Sequence, residues 1–408
     1  MNEIKEKIFY KVKMRAISPL AVGNGENVNS DNDVILDSKK CPFIPATSIA
    51  GVFSHYLSNE DKNILSPNDI MSPIFLSDAK VIGDFKIGVR DGVRLEPDMK
   101  VVVEMGKFDW EIIETGAIFE FRMELTVRGD DSYEKIVESC LQAIQLKDIS
   151  FGSNTTKGMG YFEIQEVAKE KFNKDNASEI LNFSYNKMTL YEGYKKCIVE
   201  SKYHEINVEL KQLGGISIRT YSANADDVDY HHITCNNQPV IPGSSWNGAI
   251  RKRMQELAQE IGLKDSLKWD DIYGFVEGNK AQISQVTTME SIIEDAKDKK
   301  ISRNKIDRFA GGTVEHALYD EIATFNGNTI LTLRLKKESV EPWVIGLLLL
   351  VIEDLKNGLL AIGGLTSIGR GMFEVNKVSL NGAHISDYTP YYNALVKKVH
   401  AGGNANEY

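Results

Sequence analysis

The sequence predicts an α+β fold built twice, each copy laying helices on one face of an antiparallel sheet. Two pairs of matching motifs predict the duplication. FGSNTTKGMGYFEI (Phe151–Ile164) lies over Ile362–Val375 without a gap, putting Gly152 on Gly363, Thr155 on Thr366, Gly158 on Gly369, Gly160 on Gly371 and Phe162 on Phe373. PFIPATSIAGVF (Pro42–Phe53) matches PVIPGSSWNGAI (Pro239–Ile250), with Pro45 on Pro242, Ser48 on Ser245 and Gly51 on Gly248. The pairs recur in the same order at nearly the same offset, which is the mark of an internal repeat. A third observation sets the class: each copy reads strand, loop, helix, strand or hairpin, helix, glycine loop, strand. That order suits a ferredoxin-like (RRM-like) sandwich, whose uncovered sheet face is a surface that can bind RNA.

In the first module, Ile8–Ile17 alternates loosely as a strand, and Ser18–Asp33 is a polar loop rich in Gly, Asn and Asp. VILD (Val34–Asp37) reads as a short strand. PFIPATSIAGVFSHYL then enters a helix with Ile49, Val52, Phe53 and Tyr56 on one side, and a Thr or Ser is placed to cap it. Strand-like pieces follow from Phe75, and KFDWEII with IFEFRMELTV predicts a hairpin across ETGA. Tyr133–Leu146 predicts an amphipathic helix with Ile136, Cys140, Ala143 and Ile144 inward.

The predicted first domain is 1–168. Residues 169–203 read as a connector with a helix of its own, and 204–408 as the second domain with a C-terminal tail. In that domain INVELKQL is the first strand, Ser222–His232 the polar loop, and Ile250, Met254, Leu257 and Ile261 the inward face of the helix after PVIPGSS. TILTLRL is a strand, EPWVIGLLLLVIEDL is a helix with Pro342 in its first turn, and AGGNANEY is a frayed tail.

Composition narrows the function classes. Hydrophobic residues make up 42% and charged residues 26%, as in ordinary globular domains. The longest apolar run, Val344–Ile352, is far short of a membrane span, so no membrane partner is expected. MNEIKEKIFY lacks a signal-peptide pattern, and four scattered cysteines argue for a reducing compartment. The cytoplasm is therefore the expected location. The net charge of −10 describes solubility, whereas a binding footprint is local. Arg251–Arg253 and Lys297–Arg308 are locally basic.

The order of ISPLAVGNGE, an Asp-containing loop, PFIPATSIAG, GKFDWEII and GSNTTKGMG resembles the RAMP superfamily of CRISPR-associated proteins. PVIPGSSWNGAIRKRM, RNKIDRFAGGTVEHALYDE and IGGLTSIGRGMFEV carry the same resemblance through residues 204–376. Within it the chain is most similar to the repeating backbone subunit of type III effector complexes, here fused in tandem as in III-D-like systems. The resemblance implies two RAMP domains with thumb-like hairpin insertions, lying along guide crRNA beside other type III subunits. It also implies that a loop aspartate cuts target RNA with Mg²⁺ or another divalent cation. The ligands of that metal are left unknown.

Placed on VILD, the family's catalytic position is Asp31, with Asp33 beside it; in the second module it falls between Asp227 and Asp229. A carboxylate there serves as general base or metal ligand for attack by a target 2′-hydroxyl. His231 and His232 lack a third ligand at metal spacing. Candidate RNA-binding residues are Ser153, Asn154, Thr155, Thr156 and Lys157 in one glycine loop and Thr366, Ser367 and Arg370 in the other. Such groups position a backbone without reading bases. At the helix starts the candidates are Thr47 and Ser48, then Ser244, Ser245, Asn247, Arg251 and Arg253, where a dipole end meets cations. Ala50 and Ser54 occupy the places of Asn247 and Arg251, so the first module grips less. The thumbs are expected at Arg90–Lys107 and Arg303–His316, with Arg90, Arg94, Arg303, Lys305 and Arg308 as phosphate contacts. Two rivals stand: a non-catalytic structural or capping subunit, and a guide-precursor processing endoribonuclease, which would rely on a histidine for acid–base work although neither His55 nor His204 is obviously placed for it.

Overall fold

The computed structural model describes residues 3–23, 25, 30–58, 61–65, 71–96, 102–128, 133–173, 175–221, 227–263, 268–278, 280–315 and 317–403. Parts of both polar loops (24, 26–29, 222–226), the far end of the first thumb (97–101), Arg94's side chain, His316 and the tail 404–408 lie outside the described residues. The chain divides into two compact units, one formed by most of residues 1–202 and the other by most of 203–408.

In the first unit the strands and helices are β1 (Glu6–Ala16), β2 (Phe43–Ile44), α1 (Ala46–Tyr56), β3 (Ile74–Leu76), β4 (Ala79–Ile82), β5 (Ile87–Leu95), β6 (Val102–Ile113), β7 (Ile118–Val127), α2 (Tyr133–Gln145) and β8 (Phe162–Asn173). Its main sheet runs β2–β4–β7–β1–β8, with β3 also on β7. Strands β1, β4, β7 and β8 act as first to fourth of a βαββαβ unit, giving the antiparallel 4-1-3-2 order of a ferredoxin-like fold.

The alternation of β1 makes one side of this sheet the core. Ile8, Tyr10, Val12 and Met14 pack with Ile49 and Phe53 of α1 and Cys140, Leu141 and Ile144 of α2. Each such side chain contributes about 1.5–3 kcal/mol by leaving water. The opposite face is not open. Lys7 pairs with Glu124, Lys13 with Glu166 and Arg15 with Glu163, while Phe183 covers Phe9 at 4.4 Å between ring centroids. An expected RNA-binding face is thus zipped by ion pairs and partly roofed by the segment after β8.

That segment carries no α-helix among the described residues. Three 3₁₀ turns (Ala177–Asn182, Tyr185–Lys187, Gly193–Lys196) fold back on the first unit, and Tyr194 enters its core. The hairpin expected across ETGA also does not form. β6 pairs with β5, and β7 joins the main sheet, because the β5–β6 ribbon stands as its own two-stranded sheet. VILD forms isolated bridges at Val34 and Leu36 instead of a strand.

The second unit opens with β9 (Tyr203–Leu213), β10 (Gly215–Ile216), β11 (Arg219–Tyr221), β12 (Tyr230–His232), β13 (Thr234–Cys235) and β14 (Gln238–Ile241). After these come α3 (Gly243–Glu260), α4 (Trp269–Tyr273), β15 (Phe275–Glu277), β16 (Lys280–Gln282), β17 (Val286–Thr288), β18 (Ser291–Ile292), β19 (Lys297–Arg303), β20 (Tyr319–Phe325) and β21 (Asn328–Lys336). The unit closes with α5 (Pro342–Lys356), β22 (Met372–Leu380), β23 (Ala383–His384) and α6 (Thr389–Gly403).

The main sheet, β17–β21–β9–β22–β23, repeats the 4-1-3-2 order in β22, β9, β21 and β17. Ile206, Val208 and Leu210 face Trp246, Ile250 and Met254 of α3 and the apolar run of α5. α5 is buried on nearly every side because α6 covers its second face: Leu395 is buried there. Gly346 lets the chain at Tyr391 approach, since a Cβ would stand 2.5 Å from Tyr391 O. α6 is an element that the sequence pattern does not announce, and it takes in Ala401–Gly403 from the expected frayed tail.

The repeat extends to a backbone irregularity. In the first unit Met14 faces Ile164 and Lys13 faces Glu166, so Gln165 bulges; in the second, Val375 faces Leu210 and Lys377 faces Glu209, so Asn376 bulges. Gln165 and Asn376 occupy the same place in the ungapped alignment of the glycine loops.

Candidate nucleic-acid interface

The glycine loops are the same structure made twice. Gly152, Gly158 and Gly160 have φ of 80°, 83° and 78°; Gly363, Gly369 and Gly371 have 90°, 82° and 73°. Asn154 and Leu365 share a left-handed φ of 56° and 58°, and each leads into one 3₁₀ turn, Thr155–Lys157 or Thr366–Ile368. Phe151 N–H donates to Gly160 O and Ile362 N–H to Gly371 O, at 2.8 and 2.9 Å. A Cβ on Gly160 or Gly371 would stand 1.8 Å from Phe151 O or Ile362 O. Only glycine fits there. Ser153 and Ser367 are exposed, while Asn154, Thr155, Thr156, Lys157 and Thr366 are half-buried. Arg370 points inward: it is buried, with Nη2 at 2.9 Å from Glu321 Oε1. As an outward phosphate contact it is therefore corrected to a buried cation.

The helix starts differ between the units. Both begin after a proline, Pro45 or Pro242, whose ring offers no side-chain acceptor, so neither Thr47 nor Ser48 acts as the expected cap. In α1 the Asp78 carboxylate already accepts the Ala46 N–H at 2.8 Å. A protein anion thus sits where a phosphate would dock. Thr47 is exposed and Ser48 half-buried. On α3, Ser244 is exposed and Ser245 and Asn247 are half-buried, and Arg251 lies 5.1 Å from the Tyr273 ring centroid. Arg253 faces the other way. Its Nε meets Asp354 Oδ2 at 2.7 Å and its Nη1 meets Glu256 at 3.1 Å, which ties α3 to α5. It is a packing residue.

The acidic loops resolve the aspartates. Asp33 is buried, its Oδ1 accepting from Ser30 N–H and Oγ–H at 2.8 and 2.9 Å, which shapes the loop. Asp31 is exposed and fastened to β6. Asp109 N–H donates to Asp31 Oδ2 at 3.0 Å, and Asp31 N–H donates to Asp109 Oδ1 at 3.1 Å. In the second unit, Asp320 N–H on β20 donates to Asp229 Oδ2 at 2.8 Å. Asp109 and Asp320 stand the same distance apart in sequence as Gly160 and Gly371, so Asp31 and Asp229 are equivalent positions. Asp227 instead engages His231 Nε2 at 2.7 Å.

His232 is structural. Its Nδ1 accepts from Ile218 N–H at 3.1 Å and its Nε2–H donates to Val240 O at 3.0 Å; burial pushes its pKa down to about 4, so the ring is neutral. His55 is exposed on α1, and His204 lies on β9 against Asn381, so the two histidines of the processing alternative belong to different units.

The thumbs are the β5–β6 ribbon and the β19–β20 hairpin. Arg90 is buried within the first, which corrects it as a phosphate contact. In the second, Lys305 and Arg308 are exposed, and Arg303 is drawn toward Glu321 at 3.2 Å. Asp307 Oδ1 accepts from Phe309 and Ala310 N–H, a turn that holds the Phe309 ring fully exposed.

Asp109, Asp320, Glu321, Arg219 and Phe309 are not among the site residues expected from the sequence, although GKFDWEII holds Asp109 and RNKIDRFAGGTVEHALYDE holds Phe309, Asp320 and Glu321. Extending the glycine-loop alignment backward is the signal that pairs Asp109 with Asp320. For a divalent cation the donor set is sparse. Among the described residues, no group of three or more His, Cys, Asp or Glu side chains stands ready to hold a metal. Asp31 and Asp109 offer two adjacent carboxylates, whereas Asp320 is taken by Lys300 at 2.7 Å. Mg²⁺ held by one or two carboxylates plus water and phosphate oxygens fits such a set.

Among the described residues no helix is long and apolar enough to cross a membrane. No curated protein matches the chain. The family model of the RAMP superfamily matches residues 13–163 and 222–374, one segment in each unit. With two ferredoxin-like sheets and two superposable glycine loops, the chain belongs to the RAMP superfamily and carries its module twice.

Proposed function

We propose that this chain is a tandem backbone subunit of a type III CRISPR ribonucleoprotein. In this reading it holds guide crRNA and cleaves complementary target RNA at Asp31 and Asp229. RAMP membership implies CRISPR-associated RNA binding. The observation that supports cleavage is the fastening of one exposed aspartate in each acidic loop to the strand carrying the thumb, through Asp109 and Asp320. Disordered polar loops would not repeat that bond.

Ser153, Ser367, Ser244 and Arg251 hold the guide backbone without reading bases, consistent with specificity supplied by base pairing. Phe309 at the thumb end is available to stack on a displaced base. Asp31 or Asp229 then accepts the proton of the target 2′-hydroxyl as that oxygen attacks the adjacent phosphorus; the bond to the 5′-oxygen breaks, leaving a 2′,3′-cyclic phosphate and a 5′-hydroxyl whose proton comes from water. In-line positioning supplies much of the rate. A divalent cation, when bound, would neutralise phosphate charge. Asp31 and Asp109 would hold it in the first module and Asp229 in the second.

A second reading, that the first module is structural only, is favoured by Asp78 filling the α1 anion position. The test is target cleavage by the assembled complex carrying Asp31→Asn or Asp229→Asn. Each substitution is expected to remove one product and leave assembly unchanged. Loss of only the Asp229 product supports the second reading, and an unchanged pattern with both substitutions refutes cleavage by this chain.

A further inference from the structure

The second unit buries a charge cluster that its sibling does without. Glu321 on β20 is wholly inaccessible and meets three guanidinium groups. Arg370 Nη2 and Arg303 Nη2 lie 2.9 and 3.2 Å from its Oε1, and Arg219 Nη2 lies 3.4 Å from its Oε2. Ser217 Oγ donates to Oε2 at 3.5 Å. The neighbouring Asp320 is neutralised by Lys300. Three cations against one carboxylate leave an excess of two positive charges. Arg370 Nη1 and Arg219 Nε are buried atoms with no hydrogen-bond partner, and Arg370 is 6% exposed. Burial holds the Arg370 pKa below its ordinary value, with Arg303 and Arg219 adding to the effect against Glu321.

The first unit supplies an internal control. Met159 takes the place of Arg370 between the last two loop glycines, and Trp110 follows Asp109 as Glu321 follows Asp320. Ala21 O accepts from the loop N–H of Ser153 as Ser217 O accepts from that of Gly364, both at 2.8 Å. There Ala21, Trp110, Ile112 and Met159 form a buried apolar cluster. The same fold therefore closes this place with hydrocarbon. A buried ion cluster that an apolar one can replace is a poor contributor to stability. The excess positive charge reaches solvent through the partly exposed Arg219 and Arg303, and there it calls for an anion.

We infer that Arg219 and Arg303, 29% and 22% exposed and held from behind by Glu321 and Arg370, bind a phosphate of RNA beside Asp229. Guanidinium forks match phosphate oxygens, and Asp229 bonds the residue next to Glu321. The first unit has no such site among its described residues, so the two modules hold RNA unequally. This rests on the RNA-binding reading of the second module.

The test uses the full chain and fluorescein-labelled single-stranded RNA. Arg219→Gln/Arg303→Gln leaves Glu321 matched one-to-one with Arg370. It should weaken binding about tenfold, the worth of one charged hydrogen bond. It should also flatten the salt dependence by about 0.7 for each phosphate no longer neutralised, without lowering Tm. Arg219→Lys/Arg303→Lys, which keeps charge and loses the forks, should recover part of the affinity. Unchanged affinity and salt slope in the Gln variant overturn the inference, whatever Tm does. So does a Tm rise with inorganic phosphate that the variant loses while RNA affinity stays intact. If the parent chain retains no RNA, the proposed function itself fails, a result distinct from equal retention by parent and variant.

Discussion

Gly369→Ala and Gly371→Ala lie two residues apart in one loop and should behave as different kinds of mutation. At Gly369 φ is 82°, and a Cβ meets nothing within 4 Å. Left-handed backbone costs an alanine about 1–2 kcal/mol, and the stiffer unfolded chain returns about 0.4–1 kcal/mol. The net loss is about 1 kcal/mol. At Gly371 φ is 73°, and the Cβ would stand 1.8 Å from Ile362 O, so the two limbs of the loop must part by more than an ångström. That motion breaks Gly371 N–H to Gly215 O and Ile362 N–H to Gly371 O, both 2.9 Å. Orphaning these buried groups costs about 1–3 kcal/mol each. The sum, about 4 kcal/mol or more, approaches the whole stability of a domain. Urea unfolding measures both, and Gly160→Ala should reproduce the larger loss in the first unit. The folded Gly369→Ala protein should hold RNA more weakly, because its methyl group stands on the exposed side of the loop. A Gly371→Ala protein no less stable than Gly369→Ala refutes the reasoning.

His232 gives a pH dependence. Its folded pKa of about 4 lies below the unfolded value of 6.5, so its contribution is full above pH 6.5 and is lost as pH falls toward 4. The span is roughly 3 kcal/mol at about 1.36 kcal/mol per pKa unit, and His232→Gln should flatten that limb of a stability–pH curve measured by urea unfolding. Arg253→Ala should lower stability by about 1–2 kcal/mol, because Asp354 and Glu256 are left without their guanidinium partner, and should leave RNA affinity unchanged. Arg251→Ala should do the reverse, weakening RNA binding in an anisotropy titration with little change in Tm. Phe309→Ala should leave stability within about 0.5 kcal/mol, since the ring is fully exposed, and should weaken target retention by the assembled complex.

The duplication and sheet order were legible because glycine at positive φ is a requirement that sequence cannot disguise. The apolar faces of α1, α2 and α3 were legible for the usual reason of period. The hairpin partner of β6 was not, because strand pairing is decided by which edge is already occupied, and β7 is claimed by β1 and β4. α6 stays hidden although Tyr391, Tyr392, Leu395 and Val399 have helical spacing; a short amphipathic stretch near a glycine-rich end reads as tail until its partner α5 is known. Among the site residues, motif position identifies Asp31 and Asp33 together. Only hydrogen bonding separates the exposed acid from the buried one. Arg253, Arg90 and Arg370 show the opposite failure, since charge in a sequence does not say which way the side chain points.

The bonds from Asp31 to Asp109 and from Asp229 to Asp320 have a mechanical meaning. In each module the acidic loop is riveted to a strand of the thumb. If that hairpin tilts on the RNA, the carboxylate tilts with it. On the proposed reading, the step from the wedged base to the cut bond is a length written in polypeptide, and the protein works as a ruler whose divisions stay fixed while the sequence passing through it changes.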